Sequence, residues 1–145
     1  MHSYPKVGEV FELTLDFDAA ENQPLEMVRR DGYDPRVWNY TGKKVMGRCT
    51  SYFKLVKVGY CRNLDQVRQK LAAHGEIPEG QWRQAFKAAY PKPDRKGLIG
   101  VADPSWALSG GSATFPCVSS RGRSRFLWAD RGFNVAWRWL VKVRE

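Results

Sequence analysis

Asn63-Leu64-Asp65-Gln66-Val67-Arg68-Gln69-Lys70-Leu71, then Gly75, Pro78 and Trp82-Arg83-Gln84-Ala85-Phe86-Lys87-Ala88-Ala89-Tyr90-Pro91, is the stretch that decides the fold class. Asn63 offers a short side-chain acceptor to the first amides of a helix, and Gln66 stands where a capping box reaches back. Leu64, Val67 and Leu71 fall on one helical face, and Gly75 supplies the stop. Trp82, Ala85, Phe86 and Ala89 recur at i, i+3, i+4 and i+7 until Tyr90-Pro91 ends the pattern. Two amphipathic helices with a tight connection are expected. They should pack on a sheet through Leu64, Val67, Leu71, Trp82, Phe86 and Ala89.

The sheet is legible on both sides of this stretch. Phe11, Leu13, Leu15 and Phe17 alternate with Glu12, Thr14 and Asp16, the pattern of a strand with one wet face. Pro24 to Arg30 suits a short helix, with Pro at its first position and Gly32 just past its end. Tyr33 to Arg48 reads as irregular, and Tyr52 to Tyr60, rich in β-branched and aromatic residues, as a second strand. After Pro93 come the apolar run Leu98 to Ala102, a turn at 109–112, and strands over Ala113–Val118 and Ser124–Ala129. A basic turn, Ser120-Arg121-Gly122-Arg123, joins the last two. Val135, Trp137, Trp139, Val141 and Val143 alternate with Ala136, Arg138, Leu140 and Lys142, predicting a final strand with the tryptophans inward. The reading is a single α+β domain over 1–145: a mainly antiparallel, twisted sheet carrying a helix pair.

Composition narrows the function classes. Of the 145 residues, 43% are hydrophobic, too many for a disordered chain. No apolar run is long enough to span a membrane, and Met1 to Lys6 lead into charged sequence without a secretory h-region. Cys49, Cys61 and Cys117 have no CxxC spacing, so buried free thiols in a reducing cytoplasm are expected. The net charge of +9 is uneven: residues 1–40 hold four Lys/Arg against eight Asp/Glu, and residues 41–145 hold twenty against seven. That asymmetry points to an anionic partner, to pairing of acidic with basic surfaces, or to a solvated basic face.

From about Val10 onward the chain resembles a group of small bacterial proteins to which no activity is attached. The strand Phe11 to Asp16, the helices between Arg62 and Pro91, Phe126-Leu127-Trp128 and the closing Trp137-Arg138-Trp139-Leu140-Val141 carry that resemblance. More distantly, two successive helices, short strands with Trp128-Ala129-Asp130, and an aromatic last strand are similar to C-type-lectin-like and formylglycine-generating-enzyme-like folds. The resemblance implies architecture only. No paired cysteines, no Glu-Pro-Asn or Trp-Asn-Asp calcium signature and no copper-binding cysteine pair accompany it.

Catalytic residue types are sparse. His2 and His74 are the only histidines; His74 ends the first helix of the pair, where the helix dipole favours a cation. A cysteine–histidine pair or a zinc site from Cys49, Cys61, Cys117 and His74 lacks paired ligand spacing, so core thiols are the plainer reading. Asp16 and Asp18, at i and i+2, share one face and suit either a cation or solvent. Gly110-Gly111-Ser112 lacks a Walker lysine, and no motif implies a cofactor. The basic, aromatic C-terminal third is the best candidate surface. Arg121, Arg123 and Arg125 alternate and should project from one side, with Trp128, Arg131 and Arg138 adding stacking area and charge. The expected function is a non-enzymatic binding module whose partner is a protein, or alternatively a nucleic acid bound by that third.

Overall fold

The computed structural model describes residues 3–144. Its eight strands are β1 (Phe11–Asp16), β2 (Trp38–Tyr40), β3 (Arg48–Val56), β4 (Ile99–Gly100), β5 (Trp106–Leu108), β6 (Ala113–Val118), β7 (Ser124–Trp128) and β8 (Arg138–Lys142). Three α-helices accompany them: α1 (Pro24–Arg30), α2 (Leu64–Leu71) and α3 (Trp82–Ala89). One sheet runs in the order β1-β3-β8-β4-β6-β5-β2, with β7 paired to β6 off this path. All pairings are antiparallel except β4 with β8. The fold is mixed α+β. Among the described residues no helix is long and apolar enough to cross a membrane.

Local chemistry explains the elements that match expectation. β1 alternates buried and exposed residues along its whole length. Asn63 Oδ1 accepts the Gln66 amide at 2.9 Å, and Gln66 Oε1 reaches one residue past the cap to accept the Arg62 amide at 2.8 Å, so two amides at the start of α2 are satisfied. Pro24 opens α1, and Gly32 follows with a φ of 97°.

The two helices do not form a packed pair. Leu140 belongs with Trp82 and Phe86 of α3 in one apolar cluster, together with Phe11, Leu13, Leu15, Phe53 and Leu55. Its strand neighbours Trp139 and Val141 belong with Leu64, Val67 and Leu71 of α2 in another. Successive strand residues point to opposite faces, so α2 and α3 cover opposite sides of the sheet. This corrects the expected arrangement. A third cluster of Met27, Val28, Trp38, Trp106 and Phe126 seats α1 over β2, β5 and β7.

Other expectations shift as well. Ala89 is exposed, because Tyr90 packs against Tyr4, Phe11 and Phe86 in the place foreseen for it. The second strand is 48–56 rather than 52–60, since Phe11–Asp16 pairs with it from Phe53 back to Arg48. The last strand is central, between β3 and β4, with Arg138 and Leu140 buried as fully as Trp139. Val135, placed inward by alternation, is 64% exposed. The short β2 lies in the segment read as irregular, held by three residue pairs with β5.

Phe86 is 1% exposed and meets Tyr4 at 5.1 Å, Phe11 at 5.9 Å and Tyr90 at 5.2 Å between ring centroids. Phe86→Ala is expected to destabilise the fold by about 3–5 kcal/mol, from lost burial and the cavity left behind. Urea denaturation checks this: an unchanged midpoint would refute the face assigned to α3.

Candidate binding surface

The surface is built around the hairpin of β6 and β7. Gly122 sits in its turn with a φ of 86°, a backbone region that costs little only for glycine. The turn closes through Gly122 N–H to Ser119 O at 2.9 Å and Ser119 N–H to Arg123 O at 2.8 Å. Arg121, Arg123 and Arg125 are exposed and, with Ser119 and Ser120, line one hollow of about 410 Å³. Among the described residues none of the three arginines joins an ion pair.

A second hollow, of about 530 Å³, shares Arg123 and lies between the hairpin and the helices. Arg30 from the end of α1, Asp31 just after it, Lys87 from α3 and Ser124 from β7 line it with Arg123. Lys87 Nζ donates to Ser124 Oγ at 2.8 Å. Burial lowers the Lys87 ammonium below its ordinary pKa, and the Arg83 charge lowers it further, against Asp31. A lysine so placed gains from an anion that replaces its lost hydration. Arg30 has Glu26 at 3.0 Å, so its charge is partly answered within α1.

Beneath this hollow, Arg83 holds the three elements in register. Its side chain is 1% exposed and forks onto Asp31, with Nη1 to Oδ2 at 2.6 Å and Nη2 to Oδ1 at 3.2 Å. Nη1 also donates to Arg125 O at 3.1 Å, and the guanidinium lies 5.1 Å from the Phe126 ring centroid. Thus α1, α3 and β7 meet on one planar cation.

The sequence candidates separate on this scaffold. Arg121, Arg123 and Arg125 come together. Trp128 is half-buried at the far end of β7, on the order of 10 Å from Arg125 along the strand, and does not join them. Arg131 is exposed in the following turn. Arg138 is a correction: it is 4% exposed, donates to Asp94 at 2.6 and 2.9 Å and to Gly97 O at 3.0 Å, and faces the core. Burial would raise the Asp94 carboxyl, but the Arg138 hydrogen bonds and the Lys96 amide outweigh it and hold it below the ordinary value. Arg138 is unavailable to a ligand because its strand is covered on both faces. Trp137 and Trp139 stack at 5.0 Å inside the second cluster, so neither is a platform for bases.

The remaining candidates disperse. Cys61 and Cys117 are buried, with burial pushing the Cys117 thiol up to about 12, while His74 stands exposed after α2. Among the described residues no group of three His, Cys, Asp or Glu could hold a metal. His2 lies outside the described residues. Asp16 Oδ1 accepts the Asp18 amide at 2.9 Å and Asp18 Oδ1 the Gly47 amide at 3.1 Å, the work of a chain turn.

Lys87, Arg30 and Ser124 were not foreseen. Helical spacing places Arg83 and Lys87 on one face of α3, which was the available signal. Only the fold brings that face to the hairpin. No family model, curated protein or solved structure matches this chain.

Proposed function

We propose that this chain is a non-enzymatic binding module that grips an anionic polymer, a nucleic acid held by its phosphates, at the β6–β7 hairpin. The observation that carries the reading is the convergence of Arg121, Arg123 and Arg125 on one hollow without a carboxylate partner. Lys87 and Arg30 extend the positive surface past Arg123. Guanidinium groups suit phosphate oxygens by paired N–H donors. Since Trp137 and Trp139 are internal, backbone contact rather than base stacking supplies the affinity. We place the module in a reducing cytoplasm, on the support of three free cysteines. We also propose a C-type-lectin-like architecture, which a sheet presenting its connecting loops supports.

Titration of fluorescent single- and double-stranded oligonucleotides across salt tests this. Log affinity should fall linearly with log salt, by about 0.9 per phosphate on duplex DNA or about 0.7 on single strands. Replacing Arg121, Arg123 and Arg125 together with Ala should flatten that slope by about two to three units and leave folding intact. Absence of binding at low salt removes nucleic acid as the partner.

A second reading, a protein partner, has its own observation. Tyr60 and Val135 are 62% and 64% exposed, and Arg131 is exposed between Phe133 and the end of β7. The Cys61–Phe133 bridge brings the segments bearing them together. Tyr and Arg dominate the energetics of protein interfaces. Binding through this face would survive nuclease and fail on Tyr60→Ala, while the arginine triple variant would retain it.

A further inference from the structure

The two basic hollows are walled differently. The hairpin alone lines the first, whereas the end of α1, the last turns of α3 and the hairpin turn wall the second. Arg30 and Arg123 are exposed and Lys87 and Ser124 half-buried, so a ligand in the second hollow can reach all four side chains. Ser124 Oγ accepts one Lys87 N–H at 2.8 Å, which leaves two ammonium N–H groups and the hydroxyl proton to donate. Glu26 takes only Nε of Arg30, and the outer nitrogens of that guanidinium keep their donors. The α1 carbonyls that end beside the hollow are closed off by the amides of Asp31, Gly32 and Tyr33.

The local charge is as lopsided as the donor set. Asp31 faces Arg83 with both oxygens, and Glu26 is shared between Arg29 and Arg30. Lys87 and Arg123 join no ion pair among the described residues. Arg30, Lys87 and Arg123 thus surround the hollow with Glu26 alone, and shared, to answer them. A phosphodiester inside a strand brings a single negative charge and two free oxygens. A phosphomonoester at its end brings a charge of about −1.5 to −2 near neutral pH and three acceptor oxygens. The second matches this hollow in both charge and donors. Lys87, whose ammonium burial disfavours, gains from the added charge.

Resting on the nucleic-acid reading, we propose that the second hollow seats the phosphate at the end of a strand. Lys87, Ser124, Arg30 and Arg123 hold its oxygens, and Arg121 and Arg125 hold the phosphodiesters that follow, since the two hollows share Arg123. Competition by unlabelled thymidine oligomers against a fluorescent one tests this. One oligomer has hydroxyls at both ends, one a 5′-phosphate and one a 3′-phosphate. A fourth, hydroxyl-ended and one nucleotide longer, adds its phosphate only as a diester. At least one phosphate-ended oligomer should bind about tenfold more tightly than the hydroxyl-ended one, and the longer control less than about twofold more tightly. The 5′ and 3′ arms tell which end is seated. Lys87→Gln should bring the ratio close to one, and Ser124→Ala should lower it about threefold. Arg121→Ala with Arg125→Ala should weaken every oligomer and keep the ratio. Phosphate-ended oligomers no tighter than the longer control, or a preference unchanged in a folded Lys87→Gln protein, would overturn this inference and leave the nucleic-acid reading in place. Absence of binding by all four at low salt would overturn both.

Discussion

Deleting the residues from Trp137 onward is expected to abolish cooperative folding. β8 is bonded to β3 over Phe53–Val56 on one side and to β4 over Ile99–Gly100 on the other. Its removal splits the sheet and leaves β3 and β4 each with one bare edge. It also strips side chains from both apolar layers: Leu140 from the layer under α3, and Trp137, Trp139 and Val141 from the layer under α2. At about 1.5–3 kcal/mol for each large buried side chain, the loss is of the order of 10 kcal/mol. A domain of this size has about 5–15 kcal/mol in total. The truncated chain should show no sigmoidal urea transition and no dispersed amide spectrum. A soluble truncation product with a cooperative transition would show that β8 is peripheral.

Asp31→Ala is expected to cost about 3–5 kcal/mol, because it leaves the Arg83 guanidinium buried without a counter-charge. The remaining partners of Arg83, Gln84 Oε1 and Arg125 O, are neutral dipoles and cannot replace a carboxylate. The same change removes the tie of α1 to the Arg83 guanidinium, so the second hollow should lose the α1 wall that carries Arg30. Under the proposed function, nucleic-acid affinity should fall although Asp31→Ala deletes a negative charge. Removing both members, as Asp31→Leu with Arg83→Met, should restore much of the stability, since a buried ion pair is often no better than apolar groups of similar volume. Urea midpoints of the single and double variants check this. A single variant as stable as wild type would mean that the pair is solvated rather than buried.

The local elements were legible in the residues themselves, because their causes are local. Alternation in Phe11–Asp16, the Asn63 cap with Gln66 behind it, Pro24 at the head of α1 and Gly122 in the hairpin turn each act over a few residues. Arg121, Arg123 and Arg125 were legible as an exposed basic group for the same reason: a glycine turn and short spacing suffice to place them. The rest of the arrangement depends on contacts between residues far apart in the chain. The positions of α2 and α3 on opposite faces follow from β8 entering the middle of the sheet, and periodicity says which side of a helix is apolar but not which face of a sheet it meets. Arg138, expected in the basic binding surface, and Arg83 are neutralised in the interior by Asp94 and Asp31, 44 and 52 residues away. Lys87 joined the basic surface by the same route. The environment of a polar side chain is set by which distant groups the fold brings within a few ångströms, and no local pattern encodes that distance.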